Sequence, residues 1–226
     1  MVTRFRDRRE AGRALAEELA AYAGRNEVVV LALPRGGVPV AYEVARRLQS
    51  PLDVFVVRKL GLPGHEELAM GAIASGGTRV LNEDVVGGLG IPASVIDAVA
   101  RMEQEELERR ERLYRGDRPV TPVAGQTVIL VDDGLATGAT MRAAVEAIRQ
   151  RGPERIVVAV PVASPQTCAE MAAVADEAVC ALQPPALQAV GQWYEDFSQT
   201  SDAEVGALLA QAREARKGDG IHATDH

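Results

Sequence analysis

The chain has 226 residues, of which 47% are hydrophobic, so it is long enough to bury one sizeable core. Its formal net charge of −7 provides no overall basic surface, which argues against nucleic acid as the main partner. No apolar run approaches the ~18 residues of a membrane-spanning helix, and residues 1–10 are too charged for a signal peptide. We therefore expect a soluble, cytoplasmic protein with no membrane partner.

The two cysteines do not suggest a metal site or a disulfide framework. Cys168 and Cys180 are few for a chain of this length, and their spacing does not match that of metal ligands. We therefore expect both to be reduced residues of the core.

Helix and strand patterns alternate along the chain. The first half contains a helix, a strand, a helix, a second strand, a hairpin with a central SGGT turn and a long charged helix, at 8–23, 27–33, 37–48, 53–58, 72–81 and 92–115. The second half alternates strand and helix throughout, at 127–131, 138–151, 155–160, 165–174, 177–182 and 202–216. Asp202 is the predicted N-cap of the last helix. Because strands separated by helices form βαβ units, we predict an α/β fold with an open parallel sheet flanked by helices.

The most informative segment is 128–140, VILVDDGLATGAT, in which an aliphatic run ends on Asp132 and Asp133. The run is typical of a strand buried on both faces. The small residues that follow let the backbone turn tightly, so that amides are exposed at the N-terminus of the next helix, where phosphate binds readily. The adjacent carboxylates suit sugar hydroxyls or a hydrated cation. Together these features predict a pocket for a sugar phosphate.

Two further segments follow predicted strands. In 33–38, LPRGGV, Gly36 and Gly37 would allow backbone amides to approach a phosphate, and Arg35 would add a charge-assisted bond. In 57–64, VRKLGLPG, Arg58 and Lys59 are either cations for a phosphate or a solvated strand end. Taken alone, the glycine segment also fits a plain turn. Two other nucleotide motifs are absent, because no GxxxxGK[ST] string occurs and the first strand is not followed by GxGxxG.

The 128–140 segment resembles, at every position, the signature of the type I phosphoribosyltransferases. In this family the loop corresponding to 33–38 holds the diphosphate of 5-phosphoribosyl 1-diphosphate, often through a cis or strained peptide. The 57–64 segment is similar to one in adenine phosphoribosyltransferases, where an Arg-Lys pair helps to bind diphosphate and a mobile loop follows. The resemblance extends over residues 28–182.

This resemblance implies one domain that covers residues 1–226, with a type I phosphoribosyltransferase core and a small hood subdomain. The core is expected at about 24–60 and 120–183, and the hood and lid elements at about 61–119 and 184–216. Residues 217–226 are expected to be a disordered tail. A homodimer is a further expectation from the family.

The resemblance also implies roles for individual residues. Asp132 and Asp133 would hold the sugar hydroxyls directly or through Mg²⁺, the expected cofactor, and Lys59 would join them in catalysis. Arg35, Gly36, Gly37 and Arg58 would bind the diphosphate. The 5-phosphate would be bound by Ala136, Thr137, Gly138, Ala139 and Thr140, and Gly134 and Leu135 complete the substrate-binding set.

The acceptor is a small nitrogenous compound, and one position narrows its class. The 6-oxopurine enzymes of the family have an Asp three residues after the acidic pair, where this chain has Ala136. A hypoxanthine- or guanine-type mechanism is therefore disfavoured. The adenine, uracil and amidotransferase-like branches all agree with Ala136.

The elements that select the acceptor are less clearly marked. The 61–70 segment is expected to be a loop that closes as a lid, with Glu66 and Glu67 as candidates to contact the nucleophile or the metal. Trp193, in the aromatic segment 192–200, either offers a face to a planar base or belongs to an apolar plug that docks the C-terminal helix.

Two classes of function remain open. The first is a phosphoribosyltransferase, and the second is a non-catalytic regulator that binds phosphoribosyl ligands in the same pocket. Only ~26 residues precede the first strand, too few for a helix-turn-helix module. The Arg58-Lys59 pair and the lid-like segment favour the enzyme, because a sensor has no need to release diphosphate.

Overall fold

The computed structural model describes residues 4–221. Within this range eight strands are formed, β1 Val28–Ala32, β2 Leu52–Val54, β3 Val57–Leu62, β4 His65–Ala74, β5 Thr78–Leu81, β6 Thr127–Val131, β7 Arg155–Val162 and β8 Glu177–Leu182. The same range has seven α-helices, α1 Arg8–Glu18, α2 Gly37–Leu48, α3 Glu83–Leu89, α4 Ala93–Arg115, α5 Ala139–Arg149, α6 Pro165–Val174 and α7 Asp202–Ile221. None of the described helices has both the length and the apolar character that crossing a membrane requires.

Five strands form the main sheet, in the order β2-β1-β6-β7-β8, and every neighbouring pair is parallel. The aliphatic runs of β1 and β6 are completely buried, as expected for strands covered on both faces. Alternate residues of these strands enter two apolar clusters, one on each face of the sheet. Helices α1, α2, α4 and α7 contribute to one cluster, and α5 and α6 to the other. The predicted α/β class is confirmed.

A second sheet of three antiparallel strands, β3-β4-β5, contributes Leu60, Met70 and Ile73 to one of these apolar clusters. Most of it lies in the region predicted to form the hood, although β3 begins at Val57, in the predicted core. The predicted hairpin at 72–81 is confirmed, because β4 pairs with β5 around a short turn at Ser75–Gly77. The boundaries of core, hood and lid stay a prediction.

The single strand predicted at 53–58 is wrong, because the chain changes sheets within it. Strand β2 ends at Val54 in the main sheet, and β3 begins at Val57 in the small one. Between them the amide of Phe55 donates to the carbonyl of Ala32, while the amide of Val56 donates to the hydroxyl of Ser75. Local pattern alone does not reveal such a change of hydrogen-bond partner.

The loop predicted at 61–70 is also wrong, whereas the lid role of this segment stays a prediction. Strand β3 runs to Leu62 and β4 starts at His65, so the segment is a hairpin with a tight turn at Pro63 and Gly64. The polar residues that suggested a loop are the exposed side chains of its strands. Its register is irregular beside Gly61, where a Cβ atom would lie 2.8 Å from the carbonyl oxygen of Glu66.

Several helix boundaries differ from the expected ones. Helix α1 ends at Glu18 rather than residue 23, and α3 was not predicted, since its sequence is short and contains two glycines. Helix α7 continues to Ile221, so the tail predicted from residue 217 is helical that far, and 222–226 lie outside the described residues. Ser201, not Asp202, caps this helix by accepting from the amide of Glu204 at 3.1 Å.

The prediction that both cysteines are reduced is wrong in this structure. Cys168 and Cys180 form a disulfide between α6 and β8, with their Cα atoms 6.4 Å apart. The two elements pack together in one apolar cluster, so residues separated by 12 positions in sequence become neighbours. The cysteine count alone could not reveal this contact.

Candidate functional site

The glycine segment and the acidic pair lie side by side because they follow neighbouring strands. Ala32, at the end of β1, pairs with Val131, at the end of β6. The amide of Leu33 then donates to the carbonyl of Val131 at 2.8 Å, which continues this pairing into the loops. Two segments about a hundred residues apart in sequence therefore meet at the carboxyl edge of the sheet, where ligands of α/β proteins collect.

Two glycines allow this close approach. A Cβ atom on Gly36 would collide with a carboxylate oxygen of Asp133, and one on Gly37 would lie 2.9 Å from the Cα of Asp132. The φ angle of Gly36 is −58°, which any residue adopts, so the requirement there is for space. The amides of Arg35 and Gly36 have no acceptor within residues 4–221, and the Pro34–Arg35 peptide is cis.

Replacing Gly36 with alanine is therefore expected to damage the site more than the fold. The added methyl group has to displace the Asp133 carboxylate, and overpacking of this kind costs about 1–3 kcal/mol. We expect at least a tenfold loss of affinity for a phosphorylated sugar, measured by calorimetric titration. Gly206→Ala is the control, because no atom of the described residues lies within 4 Å of a Cβ atom there. Equal ligand affinity in the two variants would contradict the assignment.

The acidic pair is partly buried and organised by three contacts. The Asp132 carboxylate accepts from the backbone amide of Asp133 at 2.8 Å, and Arg8 donates its Nε–H to the Asp133 carboxylate at 2.8 Å. The hydroxyl of Tyr194 donates to the carbonyl of Asp133 at 2.6 Å. Burial raises the pKa of Asp132 well above its ordinary value, and the neighbouring Asp133 charge raises it further. Burial also raises the pKa of Asp133, while Arg8 opposes that rise.

Arg8 and Tyr194 were not predicted as site residues. Arg8 lies in the first turn of α1, which Asp7 caps, and its guanidinium stacks 4.0 Å from the ring of Phe197. It also donates to the carbonyl of Ser198 at 2.6 Å. Nothing distinguishes Arg8 from the other arginines at the start of the sequence. Tyr194 does lie in the aromatic segment 192–200, which the sequence analysis singled out for a different residue.

The aromatic residue singled out in that segment, Trp193, has a different environment. Its side chain packs beside the cluster of Phe5, Val162 and Tyr194, and its indole nitrogen is buried with no acceptor in the described part of the chain. Its carbonyl accepts from the amide of Phe5 at 2.9 Å. Trp193 therefore packs against the N-terminal segment, and its proposed contact with an acceptor stays a prediction.

The loop after the acidic pair exposes amides at the start of α5. Leu135 is buried and its amide donates to the carbonyl of Val162, whereas Ala136 and Thr137 are exposed. Gly138 then adopts a left-handed conformation with φ of 71° and is the N-cap residue of α5. Within residues 4–221 no acceptor is found for four neighbouring amides, those of Thr137, Gly138, Thr140 and Met141. A row of amides that these residues leave without acceptors at a helix N-terminus is suited to a phosphate.

A cleft of about 490 Å³ continues from this helix end to the small sheet. Ala139 and Thr140 line one wall, and Lys59 from β3 lines the opposite one. Lys59 is exposed and has no ion-pair partner among the described residues, so its charge remains available to a phosphorylated ligand in the cleft.

The structure separates Arg58 from Lys59, although the two were predicted to act together. Successive residues of a strand point to opposite faces, and Arg58 is directed toward α4, where it pairs with Glu103 at 2.7 Å. Glu66 and Glu67 are exposed in the first half of β4 and do not line the cleft. Their roles as lid or acceptor residues stay predictions.

The donor set of the site agrees with Mg²⁺. Within residues 4–221 no three His, Cys, Asp or Glu side chains cluster closely enough to hold a metal by themselves. Mg²⁺, however, commonly binds through one or two carboxylates, with waters and substrate phosphates as the remaining ligands. The paired carboxylates of Asp132 and Asp133 fit this mode.

Comparison with known proteins agrees with this fold. The family model of the phosphoribosyl transferase domain matches residues 2–180. In the crystal structure of TT1426 from Thermus thermophilus, the matched region has 47% sequence identity and a TM-score of 0.82, covering 92% of this chain and 98% of that one. The "Bifunctional protein PyrR" of Chloroflexus aurantiacus is 35% identical over 132 residues, 56% of this chain and 65% of that protein.

A longer relative comes from Mycobacterium tuberculosis H37Rv, the "Putative phosphoribosyl transferase Rv0571c". It is 52% identical over 208 residues, which are 92% of this chain and 47% of that protein. The chain therefore spans about half the length of this relative. These matches show that the chain belongs to the type I phosphoribosyltransferase family, as its 128–140 segment predicted.

Proposed function

We propose that this chain binds 5-phosphoribosyl 1-diphosphate with Mg²⁺ and transfers the phosphoribosyl group to a nitrogenous acceptor, releasing diphosphate. The observation that carries the proposal is the meeting of two helix N-termini, those of α2 and α5, beside Asp132 and Asp133. The family and the names of the relatives support the same chemistry.

In this proposal the sugar phosphate is held by the loop from Gly134 to the start of α5. The unpaired amides of Thr137, Gly138 and Thr140 bind the 5-phosphate, with the two threonine hydroxyls as further donors. Asp132 and Asp133 accept hydrogen bonds from the ribose hydroxyls while the ring flattens toward an oxocarbenium-like transition state. Because the 5-phosphate does not react, its binding energy serves to fix C1 in position.

Diphosphate leaves from the side of the glycine segment. The amides of Arg35 and Gly36 approach it there, and Lys59 approaches it from the small sheet. The guanidinium of Arg35, which lies 3.9 Å from the Asp202 carboxylate, binds the diphosphate only if this ion pair opens. When bound at the acidic pair, Mg²⁺ would neutralise charge on the departing diphosphate. Arg58 binds the diphosphate as well only if its ion pair with Glu103 opens.

The acceptor is proposed to be a nitrogen nucleophile that needs no carboxylate at the position of Ala136. Ala136 is exposed in the loop between the acidic pair and α5, and its side chain offers no acid or base. The structure therefore gives no support to a 6-oxopurine mechanism at this position. Cytoplasmic location and a homodimer stay predictions.

Calorimetric titration with 5-phosphoribosyl 1-diphosphate, with and without Mg²⁺, tests the proposal first. Metal-dependent binding followed by diphosphate release with a nitrogenous base or amine would support the transferase. Metal-dependent binding without release for any acceptor would support the non-catalytic regulator instead. Absence of binding in both conditions would overturn both functions.

Lys59→Ala is expected to separate catalysis from sugar-phosphate binding. Loss of the cation that faces the helix end should lower kcat about a hundredfold, while the affinity for ribose 5-phosphate stays unchanged. The measurement is a diphosphate-release assay beside a ribose 5-phosphate titration. Arg58→Ala provides the matched control, because that side chain is engaged with Glu103, and its effect should be clearly smaller. A larger loss of kcat in Arg58→Ala than in Lys59→Ala would show that Arg58, and not Lys59, is the cation that assists departure of the diphosphate.

A further inference from the structure

A second cavity lies between α1 and α2, away from the acidic pair. It has a volume of about 520 Å³ and is bordered by the second half of α1 and the last turn of α2. Helix α2 begins at the glycine segment and its 12 residues span about 18 Å, so its last turn is far from the acidic pair. Three arginines line this cavity, Arg13, Arg46 and Arg47.

Arginines of both helices surround one buried carboxylate, that of Glu43, whose side chain is only 3% exposed. Its Oε2 atom accepts from Nη2 of Arg46 at 2.7 Å. Its Oε1 atom lies 3.5 Å from Nη1 of Arg9 and 3.7 Å from Nη1 of Arg13, beyond the usual length of a hydrogen bond. Gly12 allows the two helices to approach this closely, because a Cβ atom there would lie 2.6 Å from a carbonyl oxygen of α2.

Positive charge is in excess around the cavity. Arg47 is paired with Glu17 at 3.1 Å, so Glu43 is left to balance three arginines, and two positive charges remain. Within residues 4–221 the side chain of Arg13 donates no hydrogen bond. A planar guanidinium with free N–H groups is suited to the oxygens of a phosphate. This local excess is notable in a chain whose net charge is −7.

The residue at the rim of the cavity has an uncommon backbone conformation. Gln49 ends α2 with φ of 58°, and among the described residues it is the only one other than glycine with a positive φ. Glycine is the usual residue in a left-handed helix end, because it has no Cβ atom to strain the backbone. Gln49 instead brings a carboxamide to the cavity, and its side chain forms no hydrogen bond with the part of the chain that the structure describes. It is therefore available as a further donor to a ligand.

We propose that this cavity binds a small molecule through a diphosphate group, with Arg13, Arg46 and Arg47 as cationic contacts and Gln49 as a neutral donor. A diphosphate group carries enough negative charge to balance the two uncompensated arginines. The cavity shares no residue with the acidic pair or with the loop before α5, so the proposal stands whether or not the proposed function is correct. Because the arginine side chains are 45–59% exposed, binding should weaken as salt is added.

Calorimetric titration with inorganic diphosphate in a metal-free buffer tests this cavity. The variant carrying both Arg13→Gln and Arg47→Gln should bind at least about tenfold more weakly, because two charge-assisted contacts are lost. The ion pair of Glu43 with Arg46 remains, so the buried carboxylate keeps its hydrogen bond and the fold should persist, as circular dichroism would verify. Unchanged affinity in this variant, or no binding by the original protein, would overturn the proposal.

Two controls separate this cavity from general charge and from the acidic-pair site. The variant with Arg79→Gln and Arg109→Gln loses the same charge from exposed ion pairs elsewhere, and its affinity should be unchanged. Lys59→Ala removes a cation near the acidic pair and should also leave metal-free diphosphate binding unchanged. An equal loss in the first control would mean that only overall charge matters. A loss in Lys59→Ala alone would place the diphosphate at the other site, and either result would overturn the proposal.

Discussion

Replacing Asp132 and Asp133 together with asparagine is expected to lower kcat/KM about a thousandfold and to remove most of the affinity for 5-phosphoribosyl 1-diphosphate. In the proposed site these carboxylates hold the sugar hydroxyls and provide the anionic ligands for Mg²⁺, and such electrostatic groups contribute most in a partly buried site. Calorimetric titration and a diphosphate-release assay measure the two losses. The exposed Asp117→Asn is the control. Unchanged donor affinity in the double variant would show that the pair is not the sugar site.

The single change Asp132→Asn is expected to leave the protein at least as stable as the original at neutral pH. Burial and the Asp133 charge raise the pKa of Asp132 in the folded state above its unfolded value. For such a carboxyl group the stabilising contribution is complete below the unfolded pKa and is lost as pH rises through the folded one. At neutral pH the charged form therefore costs stability, and asparagine removes that cost. Melting temperatures measured from about pH 4 to pH 7 should converge toward acid and separate toward neutrality.

The second large effect is expected at the ion pair of Asp53 and Arg115, which joins β2 to the end of α4. The Nε atom of Arg115 lies 3.0 and 3.2 Å from the two carboxylate oxygens of Asp53, and a terminal nitrogen donates to the carbonyl of Val54 at 2.8 Å. Only 4% of Arg115 and 5% of Asp53 is exposed. Asp53→Ala would leave the buried Nε–H of Arg115 without its carboxylate, while Glu111 stays paired with another nitrogen of the same guanidinium at 3.0 Å. We therefore expect the change to lower the free energy of unfolding by about 3 kcal/mol.

An exposed pair supplies the control for this measurement. Arg79 and Asp97 are 2.8 Å apart with side chains 41% and 53% exposed, so Asp97→Ala should change stability by less than about 1 kcal/mol. Urea unfolding of the two variants compares them directly. Equal effects would mean that Asp53 and Arg115 contribute no more than a surface pair.

The features that the sequence predicted well are those that depend on short, contiguous sequence patterns. The aliphatic runs of β1 and β6 marked the centre of the sheet, and the 128–140 segment marked the family and the helix end. At Gly36 the sequence predicted a close approach of the backbone to a ligand, which stays a prediction. The structure adds that the same glycine makes room for Asp133.

The features that the sequence did not predict depend on contacts between distant segments. Arg8 contacts Asp133 only because α1 packs against the rest of the fold. No local sequence pattern distinguishes Arg8 from its neighbouring arginines. The adjacent Arg58 and Lys59 were predicted to act as one basic pair, but strand geometry directs Arg58 toward Glu103 and places Lys59 in the cleft. The disulfide of Cys168 and Cys180 likewise depends on how α6 packs on β8.

The contacts of Asp133 have a consequence for the order in which the molecule forms. Its partners lie on either side of the strands in sequence, Arg8 before β1 and Tyr194 after β8. A nascent chain that has emerged only as far as β8 can pair all five strands of the main sheet, yet it still lacks the tyrosine and the carbonyl of Ser198 to which Arg8 is bound. Contacts of such long sequence separation form late. The acidic pair therefore reaches its final surroundings only after residues 194–198 have emerged, so the protein acquires a sheet before it acquires a finished site.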